Sequence, residues 1–174
     1  MLHVDDACYG GAGPEYEKTV ALTRKAFKMG AESTSDFEFL GRHVVQHNDY
    51  SISVDQHAFV QKLESINIPK DRRRMPKSKL TSKEEHDYRS LVGQLAWPAR
   101  ESMPGLSYVV SDLQQRVANA TIEDLVACNT ALKLAREMVA QGLRLEFPVL
   151  NDTSEDPKLF WTLSERKKKT MIKD

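Results

Sequence analysis

The chain has 174 residues with 25 basic and 25 acidic side chains, so its net charge is zero. A chain of this length can bury one core, and a hydrophobic content of 40% is ordinary for a globular protein. Zero net charge excludes the strongly basic character of an independent nucleic-acid-binding domain. No apolar run approaches the roughly 18 residues of a membrane span, and the acidic first ten residues do not resemble a secretory signal. We therefore expect an intracellular protein without a membrane anchor, whose two cysteines are buried thiols.

The basic side chains are concentrated in one short segment. Residues 1–68 carry 6 basic and 10 acidic side chains, whereas residues 70–79, called the basic segment below, carry six basic side chains and one acidic. The cations are Lys70, Arg72, Arg73, Arg74, Lys77 and Lys79. Such a cluster can contact the phosphates of a nucleic acid without reading its sequence. It is also compatible with a solvated loop that binds nothing.

The first 54 residues predict a strand, a helix and a β-hairpin in that order. A short apolar stretch runs into the turn-forming residues 10–13, and Pro14 suits the first position of a helix that Gly30 ends. Residues 37–54 alternate apolar and polar side chains on both sides of the turn-forming residues 47–49, which indicates a hairpin.

The next two predicted helices lie on either side of the basic segment. Asp55 suits the cap of a helix whose apolar face consists of Phe59, Leu63 and Ile66. Pro69 and Pro76 bracket the basic segment, because proline interrupts a helix. Ser82 with Glu85 three residues later forms the pattern of a capping box, which predicts the start of the following helix.

The remaining boundaries follow from proline, glycine and capping residues. Pro98 ends the helix that begins at Ser82, and Pro104 begins another. Thr121 with Asp124 caps a last long helix that Gly142 ends. Beyond this helix, residues 143–147 and 158–163 have the pattern of short strands, and residues 165–174 form a charged tail.

Two adjacent aspartates, Asp5 and Asp6, are candidate metal ligands. Successive side chains on a strand point to opposite faces, so these carboxylates converge only if the chain turns tightly there, as at the tip of a hairpin. Carboxylates this close repel each other unless a divalent cation lies between them, and Mg²⁺ prefers oxygen ligands. Polymerases use two such ions to stabilise the attacking and leaving oxygens of phosphoryl transfer. The alternative is a pair of acidic residues in a surface turn.

Five segments resemble, in the same order, motifs of the copia-type retrotransposon reverse transcriptases. Residues 2–6, Leu-His-Val-Asp-Asp, are similar to the family's Leu-Tyr-Val-Asp-Asp loop, and residues 27–29, Phe-Lys-Met, to the end of the helix that follows it. Residues 39–41, Phe-Leu-Gly, are similar to the family's Phe-Leu-Gly strand, and residues 52–56, Ile-Ser-Val-Asp-Gln, to its Ile-x-Leu-Ser-Gln segment. Residues 88–95, Tyr-Arg-Ser-Leu-Val-Gly-Gln-Leu, are similar to its Tyr-Arg-x-Leu-Val-Gly-x-Leu signature.

The sequence also departs from the family's pattern. His3 stands where the family usually has tyrosine, which changes the packing expected near the primer end but not the metal ligands. Residues 100–105, Arg-Glu-Ser-Met-Pro-Gly, replace the usual Thr-Arg-Pro-Asp turn. Nothing after Gly142 resembles the start of the ribonuclease H domain that normally follows.

The resemblance implies a role for each matching position. Asp5 and Asp6 would hold two catalytic Mg²⁺ ions, and no other cofactor is implied. The segment Phe39, Leu40, Gly41 and Arg42 would correspond to the grip on the primer end. The implied partners are a template–primer duplex of RNA and DNA and a deoxynucleoside triphosphate, in the cytoplasm or a virus-like particle. In a duplex-holding thumb, the candidate phosphate contacts are Arg72, Arg73, Arg74, Lys77 and Lys79.

We therefore predict an α+β fold with three parts. Residues 1–54 would be the end of a palm, with the Asp-Asp loop and a primer-grip-like hairpin. Residues 55–142 would be a helical thumb, and residues 143–174 would be short strands and a charged tail. In this family the fingers and a further palm strand with a third metal-binding aspartate precede the Asp-Asp loop. The sequence thus predicts part of a Pol polyprotein that does not polymerise by itself.

Two other interpretations stay open. The chain can be a non-catalytic remnant that acts as a helical nucleic-acid-binding or interaction module, or a small helical scaffold in which the motif order is coincidence. Residues 11–13 begin like a dinucleotide fingerprint but lack its last glycine. His43 and His47 fall in a predicted strand and turn, where their spacing does not make a zinc-binding face. No nucleotide cofactor or zinc is therefore predicted.

Overall fold

The computed structural model describes residues 2–3, 6–27 and 29–149, with residues 2–3 and 6–7 described by their backbone. The strands are β1 (Leu2–His3), β2 (Asp6–Ala7), β3 (Asp36–Phe39), β4 (Arg42–Gln46), β5 (Ile52–Asp55) and β6 (Leu145–Phe147). The helices are α1 (Pro14–Ala26), α2 (His57–Lys62), α3 (Lys70–Arg73), α4 (Ser82–Glu101), α5 (Ser107–Arg116) and α6 (Ile122–Ala140). This combination of helices and antiparallel strands confirms the predicted α+β class.

The strands form two antiparallel sheets. Strands β1 and β2 make a two-stranded hairpin, and β3 to β6 make a four-stranded sheet in chain order. Residues that pair directly across antiparallel strands share a face of the sheet. The pairing therefore places an apolar row across all four strands, formed by the partly buried side chains of Phe37, Val44, Val54 and Leu145. The hairpin predicted around residues 47–49 and the strand predicted near residue 145 are confirmed.

The hydrophobic core lies entirely in the helical part of the described chain. Its buried side chains come from residues 60–135, where α4 packs against both α5 and α6. The face of α4 in this core carries Tyr88, Leu91, Val92, Leu95 and Ala99. Full burial of an aliphatic side chain of this size contributes about 1.5–3 kcal/mol, so this interface dominates the stability of the helices. The Tyr88 hydroxyl donates a hydrogen bond to the Leu113 carbonyl over 2.8 Å, which leaves no unpaired donor there.

The helix predicted from Asp55 onward ends earlier than expected. Helix α2 stops at Lys62, and Leu63 and Ile66 are buried from an extended segment rather than from a helix. The Asn129 side chain replaces the missing helical hydrogen bonds, since it accepts from the Ile66 N–H and donates to the Ile66 carbonyl, both over 2.8 Å. The prediction of a helix after Asp55 is confirmed, but its predicted end was wrong, because the Ile66 backbone finds its hydrogen-bond partners on α6.

The two boundaries predicted for α4 are also shifted. The capping box is formed by Thr81 with Glu84, one residue before the predicted Ser82 with Glu85. The Thr81 N–H donates to Glu84 Oε2 over 2.8 Å, while Thr81 Oγ1 accepts from the Glu84 N–H. Pro98 does not end the helix but lies inside its last turn, where its carbonyl accepts hydrogen bonds from the two residues after the helix.

The other helix boundaries follow the sequence more closely. Helix α6 begins with the predicted capping box of Thr121 and Asp124, and Gly142 lies two residues beyond its end with a φ of 69°. Helix α1 ends before the predicted Gly30, and the chain is extended at Phe27. The predicted strand at 158–163 and the charged tail at 165–174 lie outside the described residues. None of the described helices has the length and apolarity to cross a membrane.

The turn between β3 and β4 is in direct contact with α4. Leu40 and Gly41 both have positive φ, 51° and 66°, as two-residue hairpin turns of this hand require. Trp97 packs directly on Gly41 and also contacts the Phe59 ring edge-on, with the ring centroids 4.6 Å apart. A Cβ atom at position 41 would overlap the Trp97 indole. Glycine is therefore required here by both the backbone conformation and the packing.

Replacing Gly41 by alanine tests this contact. We expect Gly41→Ala to lower the free energy of unfolding by more than about 1 kcal/mol, because it combines an unfavourable φ with the overlap on Trp97. Gly93 is the matched control, since it lies within α4 and a Cβ there meets no atom within 4 Å. Gly93→Ala should instead stabilise by up to about 1 kcal/mol. Urea denaturation measures both, and equal effects would show that the turn does not pack on Trp97.

Candidate nucleic-acid interface

Of the two predicted metal ligands, Asp6 lies in strand β2, which pairs with β1. Leu2 pairs with Ala7 and His3 pairs with Asp6, so the strands are antiparallel on either side of residues 4–5. Asp6 is the first residue of β2, and Asp5 lies outside the described residues. Metal binding by Asp5 and Asp6 stays a prediction.

The predicted primer-grip segment was expected to be a strand, but it is the turn between β3 and β4, because Leu40 and Gly41 both have positive φ. Phe39 and Arg42 pair with each other at the ends of the two strands, with Leu40 and Gly41 between them. Arg42 Nη1 donates a hydrogen bond to Glu101 Oε2 over 3.0 Å, and both side chains are about one-quarter exposed. Arg42 therefore ties the turn to the C-terminal end of α4. Contact of this segment with a primer stays a prediction.

The basic segment lies against the beginning of α6. It consists of the single-turn helix α3 and a series of turns that lead to Lys79. The Pro76 carbonyl accepts a hydrogen bond from the Glu123 N–H over 2.9 Å, and the Ser78 carbonyl accepts one from the Ile122 N–H over 3.2 Å. Since the first N–H groups of a helix have no partner within the helix, the basic segment supplies part of the cap of α6.

One arginine of the basic segment is turned toward α4. Arg72 Nε and Nη2 donate to the two carboxylate oxygens of Glu84 over 2.9 and 2.7 Å, and Nη2 also donates to the Lys79 carbonyl over 2.9 Å. The pKa of Glu84 is lowered to about 2, with the hydrogen bonds from Arg72 as the largest cause and those from the Thr81 N–H and hydroxyl as further causes. Glu84 is therefore ionised at neutral pH and serves both the capping box and Arg72.

The other four predicted phosphate contacts of the segment face solvent. The side chains of Arg73, Arg74, Lys77 and Lys79 are exposed, and within the described part of the chain none has an ion pair or a side-chain hydrogen bond. The structure thus separates Arg72 from the remaining four predicted phosphate contacts. These four belong to one short segment whose backbone is fixed at Lys79, Pro76 and Ser78. They are free to neutralise the phosphates of a ligand.

A histidine on the sheet contacts two carboxylates. His43 Nε2 lies 2.8 Å from Asp36 Oδ1, and its Nδ1 lies 3.3 Å from Asp55 Oδ2. These contacts, with the Asp36 hydrogen bond as the largest cause, raise the pKa of His43 above its usual value of 6.5. His47 instead contacts the Ser53 hydroxyl at 3.0 Å. Among the described residues no three histidine, cysteine or acidic side chains are grouped as a metal would require.

Sequence reasoning missed the contacts that hold the candidate residues. The motif Thr-Ser-Lys-Glu-Glu at 81–85 contains two overlapping capping boxes, and only the structure shows that Thr81 and Glu84 form the real one. An arginine nine residues before Thr81 is no local signal for an ion pair with Glu84. The contact of Trp97 with Gly41 has no local signal in the sequence either, because the two residues are far apart in the chain.

Comparison with known proteins adds no identification. No protein-family model matches the chain, and neither a curated protein nor a solved structure was found to be similar to it. The function therefore has to be inferred from the residues themselves and from their arrangement.

The contacts of His43 predict a dependence of stability on pH. Because the folded-state pKa is raised above 6.5, the stabilisation is fully present below the unfolded-state pKa and is lost as pH rises through the folded-state pKa. We expect the free energy of unfolding to fall above pH 6.5, and His43→Gln to remove that part of the fall. His86→Gln, at an exposed position on α4, should keep the wild-type profile. Chemical denaturation at several pH values measures this, and an unchanged profile in His43→Gln would contradict it.

Proposed function

We propose that the chain is part of a copia-type reverse transcriptase, an RNA-directed DNA polymerase from a retrotransposon Pol polyprotein. Residues 1–54 would be the end of the palm, residues 55–142 the thumb that holds the template–primer duplex, and residues 143–174 a C-terminal extension. The observation that carries the proposal is the order of five motifs between residues 2 and 95. A chance match of one short motif is common, but five in order at consistent spacing are not.

The order of elements supports the same proposal. A hairpin at the Asp-Asp loop precedes helix α1, a second hairpin at Phe39 to Arg42 follows, and a helical unit with its own core comes next. This is the order that the family resemblance implies. The Tyr-Arg-x-Leu-Val-Gly-x-Leu signature also has a structural role, since its apolar residues form the buried face of α4, namely Tyr88, Leu91, Val92 and Leu95.

The proposal assigns metal binding to Asp5 and Asp6. Carboxylate oxygens are the donors that Mg²⁺ prefers, so the chemistry of the pair suits the ion. When bound, Mg²⁺ would neutralise the charge that develops on the oxygens during phosphoryl transfer. The role of the two aspartates would be to hold these ions. The turn from Phe39 to Arg42, fixed by Trp97 and Glu101, would hold the primer end.

The proposal assigns duplex binding to the exposed cations of the basic segment. Arg73, Arg74, Lys77 and Lys79 carry four positive charges without partners among the described side chains. Contacts to phosphates supply affinity without sequence preference, as a polymerase requires. Because the whole chain is neutral, this local excess of positive charge, rather than the net charge, would draw the duplex to this surface.

A second candidate function is a non-catalytic nucleic-acid-binding module. The specific observation in its favour is that the basic segment belongs to the helical unit, whose core contains no residue of either hairpin. Duplex binding by the helical unit would therefore not depend on Asp5 and Asp6. The two candidates share the binding prediction and differ in metal-dependent primer extension.

Removing two exposed charges tests the binding surface. We expect Arg73→Gln with Arg74→Gln to weaken binding to a DNA duplex, and to reduce the slope of log K against log salt by about 0.9 for each phosphate that is no longer neutralised. The matched control is Lys18→Gln with Lys25→Gln, which removes two exposed charges from α1 and should leave the slope unchanged. Fluorescence anisotropy at several salt concentrations measures both. An unchanged slope in the basic-segment variant, or no measurable binding by the wild type, would contradict the proposed surface.

A further inference from the structure

We infer that Arg72 is a positioning residue, which holds the basic segment in the conformation that displays its other cations and does not itself contact phosphate. The inference deepens the proposed function and rests on the proposal that the basic segment binds a nucleic-acid backbone. The sequence predicts five cations of this segment as phosphate contacts. Of these, Arg72 would position the segment, and the other four would bind phosphate.

Arg72 donates three hydrogen bonds within the protein, which are together called the clamp below. A guanidinium has five N–H donors in a planar fork, and a carboxylate accepts two of them side by side. Arg72 uses this fork on both oxygens of Glu84, and a third hydrogen bond goes to the Lys79 carbonyl. Arg72 therefore joins the start of the segment to its end and to the first turn of α4.

Burial separates Arg72 from its neighbours. The Arg72 side chain is 21% exposed and that of Glu84 is 16% exposed, whereas Arg73 and Arg74 are exposed. For Arg72 to reach a phosphate, its guanidinium would have to leave Glu84, which would leave a largely buried carboxylate without its cation. Arg73 and Arg74 can reach a phosphate without breaking an ion pair, so the exposed arginines are the better contacts.

The clamp has a direct effect on the binding cations. Arg73, Arg74 and Lys77 lie between Arg72 and Lys79, the two residues that the hydrogen bond to the Lys79 carbonyl brings together. The backbone carbonyls of residues 76 and 78 fix the middle of the same stretch on α6. A loop already held in its bound conformation loses less conformational entropy on binding, which increases affinity. Removal of the clamp should therefore weaken binding even though every phosphate-binding side chain is still present.

Glu84→Gln is the decisive variant because two mechanisms predict opposite results. Glutamine at this position can still form the capping box with Thr81, so the start of α4 is retained. Removing a negative charge beside a polyanion-binding surface should by itself tighten duplex binding. The inference predicts the reverse, a weakening of about threefold or more, since the fork on Arg72 is lost.

Glu85→Gln is the matched control for this measurement. Glu85 is the next residue of the same helical turn, is 46% exposed and pairs only with Arg89 at 3.9 Å among the described residues. Its substitution changes the net charge by the same amount, and we expect duplex binding to be unchanged or tighter. Both variants are compared by anisotropy at a temperature where circular dichroism shows each to be fully folded.

Substitution of Arg72 by lysine gives a second, independent readout. Lysine keeps the charge but not the planar fork, so Arg72→Lys should weaken binding about as much as Arg72→Gln, and both should keep the wild-type salt slope. At Arg73, by contrast, lysine should preserve the salt slope and glutamine should lower it.

The double variant Arg72→Gln with Glu84→Gln tests whether the two residues act together. It should bind the duplex no more weakly than either single variant, because each substitution removes the same interaction.

The outcomes separate this inference from the proposed function. Tighter binding by Glu84→Gln would show that the hydrogen bonds between Arg72 and Glu84 do not position the binding cations. A salt slope lowered in Arg72→Gln but not in Arg72→Lys would make Arg72 a phosphate contact. Either result would overturn the inference while the proposed function stands. Absence of salt-dependent duplex binding by the wild type would overturn both.

Discussion

Helix α4 buries one face between α5 and α6. The basic segment contacts the beginning of this helix, and the β3–β4 turn contacts its end. Tyr88 and Leu95 lie at the centre of the core. The first turn holds the basic segment through Glu84, and the last turns hold the β3–β4 turn through Trp97 and Glu101. A change that loosens α4 in the core would therefore disturb both regions together. Their dependence on one helix suits a protein that has to hold a duplex and a primer end in fixed positions.

The electrostatics of the chain are local rather than global. The net charge is zero, and several charges belong to internal pairs such as Arg72 with Glu84 and Arg42 with Glu101. The pair of Arg72 with Glu84 fixes the geometry of the basic segment, because forked hydrogen bonds impose orientation as well as attraction. Four cations of the basic segment, Arg73, Arg74, Lys77 and Lys79, have no partner among the described side chains. These four are available to a ligand.

The sequence predicts those features that depend on local chemistry. The α+β class, the hairpin around residues 47–49 and the capping box at Thr121 all follow from spacing and from residue types at chain turns. The errors occur where distant residues decide. Helix α2 ends at Lys62 since Asn129 on α6 satisfies the extended chain at Ile66. Pro98 lies in the last turn of α4, where it is buried and its carbonyl accepts hydrogen bonds from Ser102 and Met103.

The candidate site shows the same division. The cluster of cations and the aspartate pair can be recognised in the sequence. The ion pair of Arg72 with Glu84 cannot, because the sequence contains two overlapping capping boxes and does not show which of them forms. The contact of Trp97 with Gly41 is likewise invisible, since it joins residues that are far apart in the chain. Composition identifies which residues can bind a phosphate, and only packing decides which of them are free to do so.

The most direct test of the polymerase assignment is primer extension by a chimera in which this chain replaces the corresponding part of a complete copia-type reverse transcriptase. We expect Mg²⁺-dependent extension that Asp6→Asn abolishes and that Glu15→Gln, which removes an exposed acidic side chain from α1, leaves intact. Extension that persists in Asp6→Asn would contradict the assignment, as would a chimera that is folded and binds the duplex but extends no primer.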